Sequence, residues 1–140
     1  MKHNLIFVIA TALVGATTAA AAIAGPPAHV NVTIRHQTHH CHAWAIGAGT
    51  YAAALKVAVA RNATLTITNN DVMPHRLMQK AGPAVRMSGR ASMSHPGAKV
   101  SLTFSRPGVY RFMTKVGEDY MKGVRTIGED NVLTMKVTVS

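Results

Sequence analysis

Short runs of alternating apolar and polar residues constrain this chain more than any other feature. Val30 to Arg35 reads VNVTIR, Leu55 to Ala60 reads LKVAVA and Thr64 to Asn69 reads TLTITN. A period of two puts every second side chain on one face, which suits a strand lying on a core and fits no helix. His75 to Gln79, Lys99 to Phe104, Val109 to Thr114 and Val132 to Val139 continue the series, with Arg61-Asn62-Ala63 and Arg106-Pro107-Gly108 as turns. Tyr51 to Ala60 opens with good helix formers but ends in alternation, consistent with a helical turn entering a strand. About seven or eight strands at this spacing predict an all-β Greek-key sandwich. No repeat, linker or second domain interrupts the pattern.

The first residues read as an address. Lys2 and His3 precede an apolar stretch from Leu5 to Ile23, and Ala22-Ile23-Ala24 puts small residues where a signal peptidase reads. The stretch is about long enough to span a bilayer, but Ala and Thr dominate it and a cleavage site ends it. The expectation is a signal peptide over residues 1–24, export to the periplasm or beyond, and no stable membrane span after cleavage. The remaining domain, 25–140, has 116 of the 140 residues, enough for one core and too few for two.

Charge narrows the partners. Without Lys2, 14 basic residues face 5 acidic ones, a net +9, and every acid except Asp71 lies between Glu118 and Asp130. An acidic redox partner or another anionic surface is expected. Nucleic acid is not, because the Lys and Arg are scattered singly and aromatic residues make up only 5% of the chain. The bland reading of the same cations is that they keep strand edges soluble. The sequence leaves the oligomeric state open. The acidic pairs Glu118-Asp119 and Glu129-Asp130 have no nucleophile or pocket to serve, so no enzyme activity is expected.

The single cysteine, Cys41, excludes an internal disulfide. It sits in HQTHHCHAW with His36, His39, His40 and His42, a polar setting unlike that of a core thiol. Soft sulfur beside imidazole is copper chemistry, with zinc as the less favoured alternative.

The block LTITNNDVMPHRL, followed later by VSLTFSRPGVYRFMT, resembles the plastocyanin, amicyanin and pseudoazurin family of cupredoxins, and MPH is particularly similar to the amicyanin segment. The likeness covers most of residues 55 to 139. It implies a cupredoxin-like β-sandwich in which an Asn-rich turn presents His75 to copper at one end. It also implies that Cys, His and Met ligands follow, in that order, on one loop after the strand at Val109 to Met113. Here Thr114 stands at the Cys position, Gly117 near the His position, and only Met121, followed by Lys122-Gly123, matches.

The missing thiolate must therefore come from elsewhere. The family's topology brings the connection after the first strand to the same end, and here that connection, His36 to Gly49, carries Cys41. The expected ligand set is Cys41, His42, His75 and Met121 around one copper ion, with Trp44 behind the adjacent pair as a wall against water. His39 and His40 are substitutes for His42. Met113, Met78 and Glu118 are alternatives to Met121. Met87, Met93 and Met121, in polar or Gly-containing segments, read as better ligand candidates than methionines on strands. His95 reads as a turn residue and His29 as part of a loose terminus. The functions implied are single-electron transfer through this site, or copper carriage or tolerance, or binding and scaffolding by a metal-free sandwich.

Overall fold

A computed structural model describes residues 25–37, 42–116 and 132–140. Ten strands build it: β1 (His29–His36), β2 (His42–Ile46), β3 (Ala54–Val59), β4 (Thr64–Asn69), β5 (His75–Ala81), β6 (Arg86–Gly89), β7 (Ser92–Met93), β8 (Ala98–Thr103), β9 (Gly108–Val116) and β10 (Val132–Val139). No helix occurs among the described residues, and Tyr51 to Ala53 lead into β3 without a helical turn.

The strands form two five-stranded sheets. Sheet A runs β2-β1-β4-β8-β6 and sheet B runs β3-β10-β9-β5-β7. The pairs β1/β4 and β3/β10 are parallel and the remaining pairs antiparallel. The turn at Arg61 to Ala63 is a crossover between sheets, since β3 belongs to one and β4 to the other. Asn62 takes a left-handed φ of 64° there, which asparagine tolerates better than most residues.

Seven of these strands follow the alternating runs of the sequence. Their inward residues, such as Val32, Ile34, Leu65, Ile67, Val137 and Leu133, are fully buried between the sheets. Each such side chain contributes roughly 1.5 to 3 kcal/mol when removed from water. Phe104, Tyr110 and Phe112 pack together, with Phe104 and Tyr110 edge to face at 4.9 Å between centroids. Tyr110 Oη donates to the Arg106 carbonyl at 2.7 Å, so the phenol tip is satisfied beside the turn before β9.

Within the segment from His36 to Gly49, expected as a ligand loop, His42–Ile46 form strand β2. β2 folds back antiparallel on β1 and sets His42 opposite His36. His29 is likewise the first residue of β1, paired with Thr64, and no loose terminus.

Candidate metal centre

Four polar side chains converge at one end of the sandwich. His42 comes from β2 in sheet A, His75 opens β5 in sheet B, Asp71 lies in the turn between β4 and β5, and Thr114 stands on β9. All four are buried.

The turn is built by Asn69. Its amide donates to the carbonyls of Met73 at 2.9 Å and Met93 at 3.0 Å, and its Oδ1 accepts from the Asp71 amide at 2.9 Å. Asp71 Oδ1 then accepts from the Met73 amide at 3.0 Å. Two successive side-chain turns of this kind are what Asn and Asp favour. They fix the carboxylate with Oδ2 facing the core end of the sandwich.

Oδ2 meets two imidazoles. His42 Nδ1 lies 2.5 Å away and His75 Nε2 lies 3.3 Å away. Burial pushes the Asp71 carboxyl up, but the hydrogen bonds from His42, the Met73 amide and His75, with the charge of His42, outweigh it and hold it below the ordinary value. Asp71 is thus an ionised acceptor. Each ring must turn an N–H toward it, which leaves His42 Nε2 and His75 Nδ1 as lone-pair nitrogens when the rings are neutral. Burial lowers the His75 pKa more than Asp71 raises it, so this ring is neutral near pH 7. His75 Nδ1 has Thr114 Oγ1 at 3.4 Å, a long contact in which the hydroxyl donates.

The two rings stand edge to face with centroids 5.3 Å apart. His36, exposed at the end of β1, stacks edge-on against His42 at 5.4 Å. One ligand atom each from His36, His42 and Asp71 lies within 4.8 Å of the others. That is a nitrogen and oxygen donor set suited to a divalent ion such as Cu(II) or Zn(II).

Of the residues expected from the sequence, His42 and His75 are brought together. Cys41, Met121, His39, His40 and Glu118 lie outside the described residues. Met78 and Met113 are removed as alternatives to Met121: they are register partners on the outer face of sheet B, while His75, Leu77 and Thr114 face inward. Met93 is a fully buried core residue and the register partner of His75. Met87 is exposed on β6, on the far sheet from His75, and His95 sits in an exposed turn with Nδ1 on the Pro96 carbonyl at 3.0 Å. Trp44, two residues after His42 on the same strand, is fully buried in the core, and its Nε1 has no hydrogen-bond partner among the described residues.

Asp71 was not singled out by the sequence as a site residue. Its signals were modest: it is the one acid outside Glu118 to Asp130, and it precedes His75 by four positions in a turn-forming NND.

No family model and no curated protein matches the chain. Among solved structures it is similar to a purple cupredoxin from Nitrosopumilus maritimus, with 21% identity over 79% of this chain and 98% of that one at a TM-score of 0.42. It is also similar to a copper(I) amicyanin variant, with 19% identity over 77% and 80% and a TM-score of 0.39. A cysteine protease inhibitor from Entamoeba histolytica scores 0.44 with 10% identity over 81% and 99%. At these identities and scores no ligand set and no activity transfers to this chain. Two mixed five-stranded sheets, with a buried histidine opening β5 at one end, decide the architecture. The fold is an all-β sandwich of two mixed five-stranded sheets. Within that sandwich Thr114 is the residue that faces His75 Nδ1.

Proposed function

We propose that this chain is an exported copper protein that passes single electrons at one mononuclear site. His42 and His75 are its imidazole ligands, Cys41 its thiolate and Met121 its axial thioether. The observation that carries the reading is the shared carboxylate: Asp71 Oδ2 accepts from His42 at 2.5 Å and from His75 at 3.3 Å, which ties two rings from opposite sheets to one oxygen and leaves one lone-pair nitrogen on each.

The residues present fit copper. Imidazole serves both oxidation states, and a buried neutral His75 offers its lone pair at no cost in deprotonation. Copper, when bound, supplies a one-electron couple. The chain supplies what keeps that couple fast: ligands held on strands of two packed sheets, a carboxylate that fixes both tautomers, and the buried Trp44 beside His42. Cys41 is adjacent to His42 in the sequence, so a turn at that point lets both reach one ion. Thr114, unable to act as a soft ligand, leaves the thiolate role to Cys41. Export rests on the leader-like segment 1–24.

The test is the visible spectrum of the copper-loaded protein. An intense sulfur-to-copper band is expected, absent in Cys41→Ser and retained in Thr114→Ala. A band that survives in Cys41→Ser would exclude the thiolate assignment.

A copper carrier is the second reading, and the exposed His36 favours it. His36, His42 and Asp71 place ligand atoms within 4.8 Å of one another, a harder landing place open to solvent beside the buried pair. More than one copper per chain, or rapid loss to a chelator, selects this reading over electron transfer.

A further inference from the structure

A row of cations crosses the outer face of sheet B. Lys56 on β3 is the register partner of Lys136 on β10, and Lys136 is the partner of Arg111 on β9. Lys80, at the bulge between Gln79 and Ala81 on β5, completes the row, since Ala81 pairs with Arg111. The four side chains line one groove of about 620 Å³ together with Met113 and Thr134.

Like charges directly opposite one another on a sheet are destabilising. Edge protection accounts for Lys56, because β3 is an edge strand, but not for Lys136 and Arg111, which stand on the two interior strands β10 and β9. Among the described residues no compensating acid is close: Asp71 is the one acid among them, and it is buried at the other end of β5. A fold that carries such a row at a cost to its own stability has a use for the field it makes.

We propose that this groove binds a multiply charged, phosphate-bearing ligand. Three ammonium groups act as point charges, and the Arg111 guanidinium adds a planar fork that matches phosphate oxygens. Four cations in line call for at least two phosphate groups. The one aromatic lining the groove, Phe112, is 2% exposed, so a nucleic acid finds no platform on which to stack a base. A phospholipid headgroup and a free polyphosphate share the required chemistry. Lys80 stands about 16 Å along β5 from His75, at ~3.3 Å per residue, so occupancy of the cation row is independent of the copper reading.

The experiment uses the full chain without added copper. Inorganic tripolyphosphate is titrated by calorimetry, and phosphatidylcholine vesicles with or without phosphatidylglycerol are tested by co-sedimentation. Binding is expected to weaken with salt, and to fall about 25-fold in Lys136→Gln/Arg111→Gln, at about fivefold per lost cation near an anionic surface. The same double variant is expected to melt at a higher temperature, since repulsion is relieved, which also shows that it folds. Lys99→Gln, on the outer face of sheet A, is expected to bind as the parent does. Binding of tripolyphosphate alone assigns a free phosphate ligand, and binding of anionic vesicles alone assigns a lipid headgroup. Failure to bind either probe, undiminished binding in the double variant, or an equal loss in Lys99→Gln overturns the proposal.

Discussion

Asp71 and His42 lie 29 residues apart in sequence and meet at 2.5 Å, joining the turn before β5 to the hairpin strand β2. Because His75 shares the same carboxylate oxygen, one side chain holds a ring from each sheet. Removing its charge should disturb both.

Asp71→Asn keeps the size but cannot accept from both rings as an anion. Copper affinity is expected to fall about 10- to 100-fold, the usual effect of losing a partner behind the metal ligands. Competition against a chelator of known affinity measures it. An unchanged affinity would mean that the rings are oriented by packing alone.

Asn69→Ala removes three hydrogen bonds from a fully buried side chain and orphans the carbonyls of Met73 and Met93. At about 1 kcal/mol per bond a loss near 3 kcal/mol in unfolding free energy is expected, read by chemical denaturation. The turn that aims Asp71 should loosen at the same time, so copper affinity should drop with stability.

Metal-free protein should lose stability in acid in two stages. Burial depresses the His75 pKa below 6.5, so as pH falls through 6.5 the unfolded chain takes up a proton that the folded chain refuses, and folding is progressively disfavoured down to the depressed value. Asp71 is held below 3.8, so its contribution is full above that pH and is lost as pH falls through its folded value. Denaturation midpoints between about pH 8 and pH 3 measure both stages. His75→Gln should flatten the upper one and keep the lower only in part, since His75 also helps to hold the Asp71 pKa down.

Thr114→Cys returns sulfur to the position that faces His75 Nδ1 at 3.4 Å. In a Cys41→Ser background this change is expected to restore an intense sulfur-to-copper band. A silent spectrum would show that β9 does not direct its side chain at the metal.

The parts of the fold that sequence made legible are those in which burial follows alternation. β4 runs Thr64 to Asn69 with every second residue buried, and β10 repeats the pattern from Val132. β2 escaped because His42, Ala43, Trp44 and Ala45 are all buried, so a hairpin strand covered on both faces shows no period of two. β6 escaped for the opposite reason, as all four of its residues are exposed. His75 was legible from its turn motif. Asp71 was not, because its role depends on a ring that arrives from the other sheet. Met93 looked free among Ser and Gly neighbours, yet its pairing with His75 across β5 and β7 turns it into the core. Short strands of two residues carry no periodicity from which such a turn could be read.

The central claim is that His42 and His75 jointly hold one copper ion. Copper titration of the purified protein, followed by the rise in melting temperature, tests it most directly, since an ion bound to the folded state must stabilise it. Saturation at one copper per chain is expected, with the rise abolished in His42→Gln/His75→Gln. An equal rise in that double variant, or no rise in the parent protein, would contradict the account.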